Sequence, residues 1–316
     1  MPLSLEQYSD YLDTRDVVWP VPPEPVSIKA RPHLVKIPEV RAVLWTAYGT
    51  LINITEGELK FWVDNDLMMN IALDKTITEY KMWQSMSRKP GQPAEYMREL
   101  YRKAYDEQRM LPSAGEKSPE TKAERIWESL IKKLFLKEYK FDAGFFGSLN
   151  EYSRKVAFFF HGSMQGTGVY PGAAEAIKAM RAAGLTQGLL ADGQCFTPTQ
   201  LRRGLLRQDP AFDLDESLPE TYRFLSAECR ARKPSKAFFQ HALEVMGEQG
   251  FKPHEILHVG SDLERDIAPA RRLGMKTALF AGDKNSLVAS GEQLKDPQFR
   301  PDLLFTELPQ IAEVIG

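Results

Sequence analysis

Residues Ala42 to Leu51 read "AVLWTAYGTL". The run Ala42-Val43-Leu44-Trp45 is wholly apolar and of strand length, and it gives way to a tight turn at Tyr48-Gly49-Thr50. In α/β proteins the end of a buried strand is where reacting groups gather. An acid or a nucleophile is expected there. The first residue past the apolar run is instead Thr46.

Working outward, the same strand-then-turn punctuation recurs downstream. "TQGLLADG", "RFLSAEC", "EILHVGSD" and "KTALFAG" read as strands, and "YPGAAEAIKAMRAAGL", "PSKAFFQHALEVMGEQG" and "LERDIAPARRLG" read as helices between them. Strands alternating with single helices imply right-handed crossovers and a parallel sheet. "DLLFTELPQIAEVI" adds a last strand and helix. Between about 54 and 165 the pattern changes: "ELKFWVDNDLMMNIAL", "AEYMRELYRKAYDEQRM", "ETKAERIWESLIKKLF" and "SLNEYSRKVAFFFHGSM" all carry apolar residues at three- and four-residue spacing. That spacing predicts helices and no strand. The expected fold is α/β, a three-layer Rossmann-like parallel sheet core with an inserted all-helical cap. The core takes 39–53 and 166–316, and the cap takes 54–165.

Residues 1–38 form an N-terminal extension that does not read as core. Ser4 and Gln7 make a capping box ahead of Leu5, Tyr8 and Leu12 at helical spacing, and "WPVPPEPVSIKARPHL" is too rich in proline for a helix and reads as an extended segment on a surface. The chain has 316 residues, a formal charge of −2 and 43% hydrophobic residues. The balanced charge gives no reason to expect nucleic acid, and apolar runs as short as "VAFFF" give none to expect a membrane. With no signal-type N-terminus and only Cys195 and Cys229, the expectation is a cytoplasmic protein with free thiols.

Four strand-end motifs stand out: "TAYGTL", "LLADG", "RARKPSKAFF" and "HVGSDLERDIAPARRLGM". In this order they resemble the haloacid dehalogenase-like (HAD) hydrolase superfamily, whose first motif is D-x-D-G-T or, in the dehalogenase branch, D-x-Y-G-T. The resemblance covers about Val40 to Phe280. It implies catalytic positions at Thr46, Tyr48, Asp192 and Lys233, binding positions at Gly49, Ala191, Gly193 and Ser261, and weakly held Mg2+ at Asp262 and Asp266. It also implies a small phosphate-bearing ligand.

The departures are as informative as the match. The family's first aspartate attacks the substrate, which a carboxylate can do because its anion is already nucleophilic. A threonine hydroxyl at 46 needs a base, and His258, on an alternating strand, is expected to point into the core. The phosphatase acid two residues on is Tyr48, and the hydroxyl of the second motif is replaced by Ala191. Losing the aspartate leaves Lys233 short of a counter-charge, which Asp192 is placed to supply. Three readings follow: a HAD-like protein with degenerate motifs and little or no turnover; a phosphatase-like hydrolase on small phosphorylated substrates using non-standard residues; and, least favoured, a dehalogenase-like enzyme.

Plainer readings stand beside these. Thr46 fills a hole, Tyr48 is a packed ring with its hydroxyl satisfied, and Lys233 pairs with Asp192 or Asp262. Asp266 braces its helix through Arg271 and Arg272, while Gly49, Gly193 and Gly260 serve turns. His161 and Arg88-Lys89 are solvated surface.

Overall fold

The computed structural model describes residues 1–86, 91–110 and 115–315. Six parallel strands form one sheet: β1 (Ala42–Trp45), β4 (Thr186–Ala191), β5 (Arg223–Leu225), β6 (Ile256–Gly260), β7 (Lys276–Phe280) and β8 (Leu303–Phe305). Their order across the sheet is β5-β4-β1-β6-β7-β8. The remaining strands, β2 (Ile52–Asn53) and β3 (Gly168–Val169), pair antiparallel where the chain leaves and re-enters the core. The expected α/β Rossmann-like core is therefore present.

Period-two alternation explains the layers. Val43 and Trp45 of β1 face a cluster containing Ile177 and Met180 of helix Ala173–Ala182, while Ala42 and Leu44 face Phe238, Phe239 and Met246 of helix Lys236–Glu248. Both faces are covered, so the strands read as continuous apolar runs. Trp45 keeps its polar edge satisfied: its indole N–H donates to Gln187 at 3.1 Å, and the Gln187 amide donates to the Ile177 carbonyl.

Residues 54–165 hold helices Asp66–Glu79, Pro93–Arg109, Ala123–Phe135, Ala143–Phe146 and Leu149–Met164, with their own apolar core around Trp127, Tyr101 and Phe160. Among the described residues of this segment there is no strand beyond a single bridge, Pro119 to Ala231. Arg88 and Lys89 lie outside the described residues. No helix among the described residues is long and apolar enough to cross a membrane.

Four local expectations need correction. "RFLSAEC" is a strand only to Leu225 and continues as the short helix Ser226–Cys229, and the last segment, Leu308–Val314, is 3-10 rather than α-helical. The N-terminal extension is partly core. Its helix Leu5–Asp13 starts with the Ser4–Gln7 capping box, and Tyr8 and Leu12 are fully buried in the core of the helical insertion. His161 is also fully buried, ringed by Phe61, Phe160 and Phe196, and burial holds its pKa down at about 3. Polarity alone misplaced it. Cys195 and Cys229 are free thiols.

After the first helix the extension runs as a strap from insertion to core. The helix itself is tied to the core by Arg202 and Arg203, which pair with Asp10 and Asp13, and beyond it Trp19 packs on Phe159. The Val26 N–H then donates to Asp283, and His33 exchanges backbone hydrogen bonds with Leu304 of β8. If the strap stabilises the insertion by burial, Leu12→Ala should cost about 2–5 kcal/mol in urea denaturation. Val18→Ala, at a residue 75% exposed in the same segment, should stay within about 0.5 kcal/mol. Equal costs would show that the extension is not a packed part of the fold.

Candidate active site

The ends of β1, β4 and β6 and the loop after β5 converge at the carboxyl edge of the sheet. There Thr46, Asp192, Lys233 and Asp262 line one pocket of about 110 Å³. Two glycines allow the convergence. Gly49 has φ +78°, and a Cβ on it would sit 2.8 Å from the Ser261 hydroxyl; at Gly260 a Cβ would overlap the Asp266 carboxyl at 2.3 Å. Turn and approach both require the missing side chain.

Lys233 sits at the centre, 3% exposed. Its ammonium donates to Asp266 Oδ1 at 2.6 Å and to Thr46 Oγ1 at 2.7 Å, with His258 Nε2 at 3.4 Å. An ammonium has three protons, and here there are three acceptors. The Thr46 hydroxyl in turn donates to Asp266 Oδ1 at 3.1 Å, and Asp266 Oδ2 accepts the Ser261 and Asp262 N–H groups at 3.0 and 3.1 Å. His258 Nδ1 lies 3.0 Å from the Leu44 carbonyl, which can only accept, so that nitrogen carries the proton and Nε2 is left as an acceptor facing the ammonium. The network is closed.

The electrostatics agree. Burial alone would raise the Asp266 pKa, but the Lys233 charge outweighs it and holds the carboxyl far below the ordinary range. His258 is held below its usual value by burial first and the Lys233 charge second, so it is neutral. Thr46 therefore has a carboxylate neighbour that is a very weak base, and its hydroxyl is not activated.

Two sequence expectations are corrected here. The counter-charge of Lys233 is Asp266, not Asp192 or Asp262, because the approach at Gly260 brings the Asp266 carboxyl under the ammonium. Nor does Asp266 brace its helix through Arg271 and Arg272; Arg271 pairs with Asp302. Asp192 Oδ1 accepts the Lys233 backbone N–H at 2.8 Å, and its Oδ2 is paired with Arg265. Tyr48 is a packed ring, its hydroxyl 2.9 Å from Thr197 and 2.6 Å from Gln200, and burial raises its pKa. Ala191 is fully buried at the end of β4, while the Gly193 N–H donates to Ser226.

Three residues were given no role in the sequence reading. Arg232 and Arg265, both pocket-lining, pair with Glu58, which follows the β2 turn. Burial pushes the Glu58 pKa up, but the charges of Arg265 and Arg232 prevail and lower it. Arg232 adjoins Lys233, and Arg265 follows Asp262 by three residues, so motif adjacency was a usable signal for both. Glu58 had none.

Magnesium fits this donor set poorly. It demands several free oxygens in octahedral geometry. Both Asp266 oxygens are filled, and Asp262 Oδ1 caps the following turn by accepting the Glu264 and Arg265 N–H groups at 2.8 and 2.9 Å. Among the described residues no group of three or more His, Cys, Asp or Glu side chains could hold a metal ion.

A family model described as HAD-hydrolase-like matches residues 230–311, which contain Lys233, Asp262 and Asp266. A curated relative, glyceraldehyde 3-phosphate phosphatase of Pyrococcus furiosus, is 29% identical over 145 residues, 46% of this chain. The match spans about half of that relative's length, 53%. The crystal structure of 2-haloacid dehalogenase from Pseudomonas syringae pv. Tomato DC3000 superposes with a TM-score of 0.52 at 16% identity, covering 87% of this chain and 97% of that one. A magnesium-bound HAD-hydrolase structure from Bacillus subtilis gives a TM-score of 0.41 at 15% identity, over 86% and 96%.

Lys233→Met should destabilise the fold by about 3–5 kcal/mol at pH 7, since it leaves the Asp266 carboxylate buried without its cation. The Asp266 pKa is depressed in the folded wild type, so its contribution is present above the unfolded value of about 3.9 and is lost as pH falls below it. In the variant, burial raises that pKa instead. The stability gap should therefore narrow as denaturation is repeated toward pH 4, and a gap that widens on acidification would refute the pairing. Titration calorimetry on the wild type should show no tight magnesium binding.

Proposed function

We propose that this chain is a HAD-like hydrolase-superfamily protein whose sheet-edge pocket takes a small phosphate-bearing molecule, with slow turnover at most. The observation that carries the slow turnover is the closed network of Lys233, Asp266, Thr46 and His258. It places a hydroxyl with no competent base where a covalent route needs an anionic nucleophile. What supports the ligand class is the pair of pocket arginines, Arg232 and Arg265, whose forked donors match phosphate oxygens.

The comparisons favour a second reading, phosphatase-like hydrolysis of small phosphorylated substrates by non-standard residues. The matched family model is of hydrolases, and the curated relative is named a phosphatase. Of the pocket's other carboxylates, Asp192 would be the acting group in that case, having two guanidinium groups beside it to hold a phosphoryl oxygen. A dehalogenase-like reaction lacks its nucleophile at position 46, and the resemblance to the dehalogenase structure is one of fold.

Turnover of p-nitrophenyl phosphate separates the two. The wild type should hydrolyse it slowly or not at all, and Thr46→Asp alone should recover little, because Tyr48 and Ala191 still lack the acid and the hydrogen-bond donor. Thr46→Asp combined with Tyr48→Asp and Ala191→Thr should recover more than the single changes together. Robust activity of the unmodified protein that disappears in Asp192→Asn would establish the second reading.

A further inference from the structure

Beside the inner pocket lies a larger cavity of about 400 Å³, and the two share Phe61, Glu120, Arg232 and Lys233 in their walls. The helical insertion forms one side and the loop before Lys233 the other. Their junction is fixed by backbone pairing: the Arg232 N–H donates to the Ser118 carbonyl at 2.8 Å, and the Glu120 N–H to the Arg230 carbonyl at 3.2 Å. The aromatic part of the wall is rigid too, since Phe61 and Tyr105 stack with centroids 5.5 Å apart and planes 9° from parallel.

The charge in this cavity is one-sided. Among its lining residues Arg125, Arg232 and Lys233 are committed to Glu128, Glu58 and Asp266. Arg109, Lys122 and Arg230 have no ion-pair partner among the described residues, and Arg109 lies over the Tyr105 ring at 5.3 Å. The single lining carboxylate, Glu120, is turned away into protein donors, accepting the Thr121 N–H and the Ser226 hydroxyl. Three cations therefore face a cavity with no available anion, next to a pocket whose three cations, Arg232, Lys233 and Arg265, are already paired and whose walls carry six carboxylates.

We propose that the outer cavity binds a second anionic group of the ligand, so that the ligand class is a small metabolite with a phosphate at one end and a phosphate or carboxylate at the other. This rests on the inner pocket being a phosphate site. The phosphate enters the inner pocket beside Arg232 and Arg265, and the distal anion meets Arg109, Lys122 and Arg230.

Flexible probes test this without presuming a carbon skeleton. Calorimetry on the full chain with n-butyl phosphate, 1,4-butanediol bisphosphate and 1,6-hexanediol bisphosphate should show at least one bisphosphate binding about tenfold or more tightly than the monophosphate. In the double variant Arg109→Gln, Arg230→Asn that advantage should fall to about twofold; asparagine tolerates the left-handed backbone of Arg230, φ 55°. Circular dichroism of the variant controls for folding. Bisphosphates that bind no better than the monophosphate, or an advantage that survives the double variant, overturn this inference and leave the inner phosphate site standing. Bisphosphate binding that depends on the two arginines without any monophosphate binding supports the outer site and refutes the inner one. Absence of binding by every probe overturns both.

Discussion

The Lys233 ammonium is the interaction on which the site depends. A buried cation of this kind costs several kcal/mol unless it is paired and hydrogen-bonded, and each of its three protons has its own acceptor. Thr46 closes β1, His258 lies on β6, and Asp266 sits in the turn of helix that follows it. One side chain thus ties together two neighbouring strands and the loop after a third. The same saturation decides the chemistry, because a lysine with no proton to spare and a carboxylate with no lone pair to spare are structural partners first.

Threonine at position 46 is consistent with that arrangement at the level of individual bonds. Its hydroxyl accepts from Lys233 and donates to Asp266, so it bridges the ion pair that a second carboxylate would disturb. An aspartate there would put two carboxylates against one ammonium in a buried pocket, an imbalance that calls for another cation. A hydroxyl rather than an anion at position 46 and the poor fit to a divalent metal are therefore two sides of one arrangement. Thr46 is more than a space filler: it completes a hydrogen-bond circuit.

Most of the fold was legible in the sequence because the β1, β4, β6 and β7 segments are buried on both faces and read as apolar runs, while the insertion's helices carry clean three- and four-residue spacing. The convergence of 46, 192, 233 and 262 followed from the strand-end rule alone. What the sequence did not show was pairing. Asp192 and Asp262 were the acids expected beside Lys233, and it is the Gly260 approach, a packing fact, that brings Asp266 there instead. Tyr8, Leu12 and His161 were misplaced for a related reason: their burial comes from contacts more than sixty residues away in sequence or from a ring of aromatic neighbours, neither of which local periodicity reports.

Charge balance separates the parts of the cleft. In the inner network Lys233 is matched by Asp266 while His258 is neutral, and at the pocket mouth Arg232 and Arg265 are matched by Glu58 and Asp192. An anion entering the inner pocket thus competes with carboxylates already seated on the arginines, which limits the affinity one phosphate alone can reach. The outer cavity has no such competition, since its one carboxylate is turned into protein donors. Affinity and selectivity in a cleft built this way come from the part of the ligand farthest from the reacting position. On the proposed reading, that division places the binding determinants away from the sheet edge, where position 46 offers a hydroxyl.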